Sequence, residues 1–421
     1  MKHAAAGRDA KSKIANQKSK ISLCALYGAK GGQEGRTPVK IVADENIPLL
    51  RDAFGPMGEV VAVPADAIRP LLVRDAQALL VRSVTPVGPA LLDGSAVRFV
   101  ATATIGVDHV NQEYLQQHGI AFANAEGSNA QSVAEYVFTA LAVLADRGGW
   151  RLRNKALGVV GVGNIGARVA RMAEGLGMTV LRNDPPLACE TGDPKYVPID
   201  TLFDADIMTF HVPLTREGPD ATYHMIGESL LRRLRRDVIL LNTSRGSVAD
   251  TAALKATCAA GRLGALVFDV WENEPTIDLE LMNAVDIATP HIAGYSYDGK
   301  VNGTRMILHA FCRHFGLQRM WDPSPLMPPP EKPRLRLPPK VDAQQAIRYA
   351  TRAAYDIEAD DARLRAIREK PAEGRSAYFK SLRKNYPVRR EFPQTTVELE
   401  SADTQVRSAL ETLGFPVEPA S

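Results

Sequence analysis

Ala156-Leu157-Gly158-Val159-Val160-Gly161-Val162-Gly163-Asn164-Ile165-Gly166 joins an apolar run to three glycines at fixed spacing. The run is typical of a buried strand, and the glycine spacing is typical of a strand that turns into a helix around a dinucleotide pyrophosphate. Gly161 permits the tight turn, Gly163 lets the backbone approach the phosphates, and Gly166 lets helix and strand pack closely. Free N–H groups at the helix start complete the anion site. The predicted cofactor contacts here are Gly161, Gly163, Asn164, Ile165 and Gly166.

An acidic residue lies at the distance from these glycines that the motif requires. Asp184 follows Gly166 by 18 residues and comes after the next apolar run, Thr179-Val180-Leu181. There its carboxylate can bond both hydroxyls of a ribose and repel a 2′-phosphate, which favours NAD over NADP. Arg182 is a contrary sign, because an arginine can bind such a phosphate. The sequence on balance predicts an NAD site.

Short apolar runs alternate with helical stretches along much of the chain. Runs at residues 39–43, 78–83 and 99–104 predict strands before the glycine motif. Such alternation is typical of an α/β fold with parallel sheets covered by helices, and ligands bind beyond the carboxyl ends of those strands. Ser83 and Thr104 end two predicted strands and are therefore candidate substrate contacts. Capping or turn hydroxyls are the alternative interpretation of both.

Three further segments organise the chain. Residues 132–145 show a long apolar helical pattern, with Ser132 predicted as its N-cap. Residues 323–339 contain eight prolines, which exclude a helix interior and predict a linker, although an edge strand at 334–337 fits inside it. Residues 340–421 then resume a mixed pattern and predict a third, small α/β unit.

An arginine, a glutamate and a histidine follow the glycine motif in three apolar-flanked segments. Oxidation of a 2-hydroxy acid removes a hydride from C2 while the hydroxyl loses a proton, and histidine is the natural base near neutral pH. His291 is predicted to be that base, and Glu274, 17 residues earlier, to orient its ring and stabilise the imidazolium. Arg245 offers a planar, two-pronged donor for the substrate carboxylate. Each residue alone has a structural alternative, but their order behind a complete fingerprint favours catalysis.

The glycine motif and this trio together resemble the D-isomer-specific 2-hydroxyacid dehydrogenase family over residues 39–316. The resemblance implies a flavodoxin-like substrate domain at residues 39–138 and 290–325. A Rossmann-type NAD domain at residues 139–289 would be inserted into it, with NAD as the cofactor.

The C-terminal segment resembles that of one branch of the family. The sequences Tyr355-Asp356-Ile357-Glu358-Ala359-Asp360-Asp361 and Leu382-Arg383-Lys384-Asn385-Tyr386 carry this likeness. In that branch the segment forms dimers, so the resemblance implies a small α/β dimerisation domain at residues 326–421 and a homodimer.

The resemblance also assigns roles to individual positions. The catalytic positions fall on Arg245, Glu274 and His291, and the substrate contacts on Ser83, Thr104 and Tyr295. Val212 stands where the branch tends to have threonine, so only a backbone contact with NAD is expected there. The implied NAD contacts are Asp184, Val212, Thr243, Ser244, Arg245, Asp269 and Gly294.

The implied substrate is a phosphorylated 2-hydroxy acid, whose phosphate needs cations. Arg82, beside Ser83, is one candidate. The basic run of Arg383-Lys384 and Arg389-Arg390, reaching from a partner subunit, is another, and a solvated basic face is the alternative interpretation of that run. Rival functions are a phosphoglycerate or glyoxylate-type dehydrogenase on the same scaffold, and a non-catalytic NAD-binding corepressor.

Charge and composition exclude other classes of function. Residues 1–38 hold eight Lys/Arg and two Asp/Glu and predict a disordered basic extension. The remainder has 43 basic against 46 acidic residues, so bulk charge does not favour nucleic-acid binding. No stretch approaches the ~18 apolar residues of a membrane span, and the four cysteines lack metal-site spacing. The sequence predicts a cytoplasmic enzyme without a metal.

Overall fold

The structure, a computed structural model, describes residues 38–400 and 403–420. The extension predicted at residues 1–38 therefore lies outside the described residues, except for Pro38. Within them, fourteen strands form three sheets in which all pairings are parallel. The strands are β1 (Val39–Asp44), β2 (Gly58–Val63), β3 (Ala78–Val81), β4 (Phe99–Thr102), β5 (Ala121–Asn124), β6 (Ala156–Val160), β7 (Thr179–Asn183), β8 (Ile207–Phe210), β9 (Val238–Asn242), β10 (Leu263–Phe268), β11 (Ile287–Ala288), β12 (Arg334–Arg336), β13 (Thr396–Leu399) and β14 (Val417–Pro419).

Fifteen α-helices occur in the same described ranges. None of them is both long enough and apolar enough to cross a membrane. The helices are α1 (Leu50–Phe54), α2 (Pro70–Val73), α3 (Pro89–Leu92), α4 (Gln112–Gln117), α5 (Ala130–Gly148), α6 (Asn164–Gly175), α7 (Pro185–Thr191), α8 (Glu228–Arg233), α9 (Thr251–Ala259), α10 (Leu279–Ala284), α11 (Tyr297–Phe315), α12 (Ala343–Ala354), α13 (Ile357–Arg365), α14 (Ala372–Lys384) and α15 (Thr404–Leu413).

The first sheet has the strand order β2-β1-β3-β4-β5. Its central strands β3 and β4 are buried along their whole length, because separate apolar clusters cover the two faces. Helix α11 contributes Ile307 and Phe311 to one cluster, so the chain returns to this sheet after completing the second one. The order is that of a flavodoxin-like sheet, which confirms the fold class predicted for this part. The residue bounds of the domains stay a prediction.

The second sheet has the order β11-β10-β9-β8-β6-β7. Strand β6 leads to β7 on one side, and the chain then crosses to β8 on the other side. The direction of winding therefore reverses at β6, and a crevice opens beyond its carboxyl end. The glycine motif follows β6 directly and thus lies in this crevice, as the Rossmann-type prediction requires.

The turn between β6 and α6 explains the spacing of the glycines. Gly161 has φ +82°, and a Cβ there would lie 2.7 Å from the carbonyl oxygen of His211. A Cβ on Gly166 would lie 1.9 Å from the carbonyl oxygen of Gly161. A Cβ on Gly163, by contrast, would meet no atom within 4 Å. Two of the glycines are therefore required by packing, and the third faces open space where a ligand can approach.

Helix α5 begins earlier than predicted. Its N-cap is Asn129, not Ser132, which lies inside the helix and is fully buried. The Ser132 hydroxyl donates a 2.8 Å hydrogen bond to the carbonyl oxygen of Ala293. The capping prediction was wrong because the apolar pattern begins after the first turn of the helix, while the backbone already turns at Ala130.

The C-terminal segment packs on the second sheet of its own chain. Its strands form a third sheet, β12-β13-β14, with the predicted edge strand as β12. Val397 and Leu410 belong to the same buried cluster as Val137 and Leu141 of α5. Helix α13 closes the edge of β11, where the Ala288 N–H donates a 2.7 Å hydrogen bond to Asp361.

Substitution of two of the glycines separates packing from ligand approach. We expect Gly166→Ala to lower the free energy of unfolding by about 1–3 kcal/mol, because the added methyl overlaps the Gly161 carbonyl. Gly163→Ala should change it by less than about 0.5 kcal/mol, since the site is open. Urea denaturation measures both. Equal losses from the two variants would contradict the close packing of Gly166.

Candidate active site

The predicted catalytic residues follow neighbouring strands of the second sheet. Arg245 comes three residues after β9, and His291 three residues after β11. Strand β10 lies between them and is followed by Asp269 and Glu274. Because these strands are parallel neighbours, their carboxyl ends meet at one edge of the sheet, which is where ligands bind in such folds.

Glu274 and His291 form a partly buried acid–histidine pair. The Oε2 atom of Glu274 lies 2.8 Å from Nδ1 of His291, and its Oε1 accepts a 2.7 Å hydrogen bond from the backbone N–H of Trp271. Burial raises the pKa of Glu274, but the charge and hydrogen bond of His291, with Trp271 and Arg383, outweigh burial and hold the pKa below its ordinary value. Glu274 is thus ionised at neutral pH. The ionised carboxylate accepts a hydrogen bond from Nδ1–H of His291, which leaves Nε2 unprotonated and able to take a proton.

Asp269 holds the turn that carries His291. Its buried carboxylate accepts hydrogen bonds from the hydroxyl of Thr289 at 2.7 Å, and from the N–H groups of Ile292 and Ala293 at 2.7 and 2.9 Å. His291 itself has φ +59°, an uncommon conformation for a non-glycine residue. The three bonds around it stabilise this backbone. Asp269 was predicted as an NAD contact, and that role stays a prediction; the turn-holding role was missed by the sequence reasoning.

Arg245 is half-buried and faces the loop that follows β4. Its Nη1 donates a 2.9 Å hydrogen bond to the carbonyl oxygen of Ser244. Its Nη2 lies 3.5 Å from Oδ2 of Asp108, whose side chain is 74% exposed. Among the described residues this is the ion pair that Arg245 makes, and a cation held from one side can exchange an exposed carboxylate for a substrate carboxylate.

The predicted substrate contacts lie on two sides of this edge. The Thr104 hydroxyl lies 2.7 Å from that of Thr102, on the same loop that reaches Arg245. Ser83 is exposed, and its side chain makes no hydrogen bond to any described residue. Tyr295, four residues after His291, is half-buried and meets Tyr386 edge to face, with ring centroids 5.8 Å apart.

Two of the basic residues expected to reach a partner's substrate are buried within their own chain. Arg389 donates hydrogen bonds to the Ser132 hydroxyl and to the Ala293 carbonyl oxygen. Arg390 pairs with Asp298 at 2.8 Å. The expectation for this half of the run was wrong, because Arg389 joins the C-terminal segment to the turn after His291 and Arg390 joins it to the first turn of α11. Arg383 makes no such bond with any described residue.

A cleft of about 760 Å³ opens beyond β6. Its lining includes Gly161, Gly163, Asp184 and Val212, four of the predicted NAD contacts. The open space at Gly163 fits close approach by a pyrophosphate. These four residues therefore surround one space large enough for a dinucleotide, and the contacts predicted for Asn164, Ile165 and Gly166, which do not line it, stay predictions.

Asp184 lies at the rim of this cleft with its carboxylate fixed. Its Oδ2 accepts a 2.7 Å hydrogen bond from the Val162 N–H, and its Oδ1 caps α7 through the Leu187 N–H at 3.1 Å. Each carboxylate oxygen retains a lone pair for a ribose hydroxyl. Arg182, the contrary sign in the sequence, pairs with Glu174 at 2.7 Å. That pairing reduces its capacity to bind a 2′-phosphate.

Thr243 and Ser244 are buried at the end of β9 and bonded within the chain. The Thr243 hydroxyl lies 3.1 Å from Nδ1 of His211, whose Nε2 lies 3.0 Å from the Thr209 hydroxyl. Enclosure lowers the pKa of His211 to about 3, so this ring is neutral. His211 links β8 to β9 beneath the cleft. Sequence reasoning singled out its neighbour Val212 but missed this histidine, since nothing in the pattern marks which strands it joins.

Gly294 meets the start of α5. A Cβ there would lie 1.9 Å from Nδ2 of Asn129, so a side chain at this position would displace the residue that caps the helix. Its predicted contact with NAD stays a prediction.

Comparison with known proteins agrees with this geometry. The sequence profile of the D-isomer specific 2-hydroxyacid dehydrogenase NAD-binding domain matches residues 130–293, and that of a domain of unknown function matches residues 326–414. Among solved structures, NAD+-bound 3-phosphoglycerate dehydrogenase from Entamoeba histolytica is 26% identical with a TM-score of 0.57, covering 66% of this chain and 96% of that chain. NAD-dependent formate dehydrogenase from Staphylococcus aureus shares the fold at 22% identity and a TM-score of 0.54, covering 68% of this chain and 98% of that chain.

Curated relatives match over a longer range. Erythronate-4-phosphate dehydrogenase of Salinibacter ruber is 48% identical over 86% of this chain and 94% of its own length. The enzyme of the same name from Marinobacter nauticus is 44% identical over 89% of this chain and 98% of its own length. The chain carries an NAD-binding domain and belongs to the erythronate-4-phosphate dehydrogenases, within the D-isomer-specific 2-hydroxyacid dehydrogenase family.

Proposed function

We propose that the protein oxidises 4-phospho-D-erythronate at C2 to 2-oxo-3-hydroxy-4-phosphobutanoate with NAD, a step of pyridoxal 5′-phosphate (vitamin B6) biosynthesis. The observation that carries the chemistry is the 2.8 Å pair of Glu274 and His291 at the sheet edge that also presents Arg245. The names of the relatives, at 42–48% identity, support the choice of substrate.

Three residues at the carboxyl edge of the second sheet have separate roles in the proposed reaction. Arg245 exchanges Asp108 for the substrate carboxylate and orients the acid. Nε2 of His291 takes the proton of the C2 hydroxyl while the hydride leaves C2, so that C2 becomes a carbonyl carbon. Glu274 stabilises the imidazolium that forms. When bound, NAD supplies the acceptor of the hydride.

The remaining predicted contacts complete the proposal. Ser83, Thr104 and Tyr295 bind the polyol part of the substrate, and Gly161, Gly163, Gly166 and Asp184 hold NAD. Asn164, Ile165, Val212, Thr243, Ser244, Asp269 and Gly294 form the rest of the proposed NAD site.

We further propose a cytoplasmic homodimer that uses the C-terminal segment as its interface. Val388 and Tyr349 of that segment are apolar and at least half exposed, which supports a covered surface. Light scattering on the purified protein measures the mass in solution, and a monomer at micromolar concentration would contradict the dimer.

The substrate assignment is tested by turnover with three acids. Purified protein should form NADH fastest, by kcat/KM, with 4-phosphoerythronate, compared with 3-phosphoglycerate and D-lactate. A higher kcat/KM with 3-phosphoglycerate or D-lactate would contradict the proposed substrate, while the proposed oxidation of a 2-hydroxy acid would stand. Tight NAD binding without turnover of any 2-hydroxy acid would favour a corepressor-like protein instead.

A histidine outside the site provides a matched control for the base. We expect His291→Asn to lower kcat by about 10²–10⁴-fold, since no group then takes the hydroxyl proton, while NAD affinity is retained. His224 makes a similar 2.7 Å pair with Glu272, and His224→Asn should keep kcat within a few-fold of the parent. Steady-state NADH formation measures both, and an unchanged kcat in His291→Asn would reject the role.

The choice of cofactor is expected to depend on the charge of Asp184. Asp184→Asn keeps an oxygen to cap α7 but removes the charge that repels a 2′-phosphate. The preference for NAD over NADP, as a ratio of kcat/KM, should fall by about tenfold or more. Glu174→Gln, which releases Arg182, should lower the preference further in the double variant. If the preference for NAD over NADP were unchanged in both variants, a group other than Asp184 would discriminate between the two cofactors.

A further inference from the structure

One face of helix α5 holds the turn after β11 at two points. Ser132 and Tyr136 are four residues apart and therefore lie on the same face of the helix. The Ser132 hydroxyl donates a 2.8 Å hydrogen bond to the carbonyl oxygen of Ala293, on the C-terminal side of His291. The Tyr136 hydroxyl lies 2.7 Å from Oγ1 of Thr289, on the N-terminal side. The helix thus contacts both ends of the segment that carries the histidine.

The hydrogen bonds at Thr289 run in one direction, towards Asp269. Thr289 donates its single hydroxyl hydrogen to Oδ1 of Asp269 at 2.7 Å, because an ionised carboxylate can only accept. The oxygen of Thr289 must then accept its hydrogen bond from the hydroxyl of Tyr136. A hydroxyl that accepts a hydrogen bond becomes a stronger donor. Tyr136 therefore strengthens the bond that Thr289 makes to Asp269.

Asp269 depends on such donors because it is almost completely buried. Burial raises the pKa of its carboxyl group above the ordinary value, while the charge of His291 and the hydrogen bonds from the turn act in the opposite direction. A protonated carboxyl group would accept hydrogen bonds from the N–H groups of the turn less strongly than a carboxylate does. A stronger donor at Thr289 thus favours the ionised form of Asp269, which is the form that holds the turn.

Packing alone does not require the hydroxyl of Tyr136. Its ring is fully buried in an apolar cluster, where a phenylalanine would fill nearly the same volume and would need no hydrogen-bond partner. Tyr355 belongs to the same cluster, with its ring centroid 6.2 Å from that of Tyr136. Its hydroxyl donates a 2.9 Å hydrogen bond to Oδ2 of Asp360. Of these two neighbouring tyrosines, one is therefore bonded to the turn after β11 and the other to α13.

We propose that Tyr136 is a positioning residue for the oxidation. Through Thr289 it holds the carboxylate of Asp269, and Asp269 holds the turn that presents Nε2 of His291 to the substrate. This inference rests on the proposed function, in which His291 is the base. It assigns an effect on the reaction rate to a fully buried side chain of α5.

Removal of the tyrosine hydroxyl should slow the reaction without weakening cofactor binding. We expect Tyr136→Phe to lower kcat about tenfold, because a small misplacement of a catalytic group slows the chemical step, while KM for NAD changes little. Tyr355→Phe removes a hydroxyl from the same cluster and leaves Asp360 bonded to Tyr386, so kcat should be nearly unchanged. Thr289→Val should lower kcat at least as much as Tyr136→Phe does, and Thr289→Ser, which keeps the hydroxyl, should restore most of it.

Thermal denaturation separates this effect from a general loss of stability. Tyr136→Phe and Tyr355→Phe each remove one buried hydrogen bond, so their melting temperatures should fall by similar amounts. A fall in kcat that occurs in Tyr136→Phe alone then reflects the turn after β11. Equal kcat values in the two variants would overturn the positioning role.

A measurement on the histidine ring separates this inference from the proposed function. In long-range 1H–15N NMR spectra the ring nitrogens of His291 report its bond to Glu274, and the spectrum of His291→Asn assigns them. Tyr136→Phe should shift these signals, and Tyr355→Phe should not. If no 2-hydroxy acid is oxidised but the shift is seen, Tyr136 still positions His291 and the proposed function is wrong. Signals in Tyr136→Phe identical to those of the parent would overturn the positioning role.

The pH profile distinguishes an effect on Asp269 from a packing role. The hydroxyl of Tyr136 strengthens a hydrogen bond that lowers the pKa of Asp269, so in Tyr136→Phe this carboxyl group should take up a proton at higher pH. The acid side of the kcat/KM profile should therefore move to higher pH. His291 faces Asp269 from the turn, and Asp360 and Asp361 of α13 act on Tyr136; all three are retained in the variant. A profile that coincides with that of the parent would overturn the positioning role.

Discussion

The buried carboxylate of Asp269 is the constraint on which the site depends. It accepts three hydrogen bonds from the turn after β11 and so supports the positive φ of His291. Without those bonds the turn would relax, and the ring would leave Glu274. Because Asp269 directly follows β10, His291 is attached to the core of the sheet and not to a mobile loop.

Local spacing made much of the fold and part of the site predictable. The glycines, Asp184 and the apolar runs act over a few residues, so the sequence predicted the α/β class and the strand–helix turn at the crevice, while the individual NAD contacts stay predictions. Arg245, Glu274 and His291 could be named because each lies near the end of an apolar run. In parallel sheets such ends converge, whatever the length of the connecting segments.

What could not be predicted depends on contacts between distant parts of the chain. The three hydrogen bonds of Asp269 reach partners 20 to 24 residues away. The burial of Arg389 depends on Ser132, 257 residues earlier, and so the basic run looked available in the sequence. Ser132 was predicted as the N-cap for a related reason. The apolar pattern indicates which residues are buried, and it does not indicate where the helical backbone begins.

Helix α14 has a consequence for how the protein behaves as a whole. It buries Phe379 against the second sheet and carries Arg383 to the ring of Tyr295. Any ligand that binds Arg383 therefore also stabilises the docking of the helix, and by thermodynamic reciprocity a more firmly docked helix binds that ligand more tightly. Affinity for such a ligand and the local unfolding of the C-terminal segment are then thermodynamically coupled, so that a change in one changes the other.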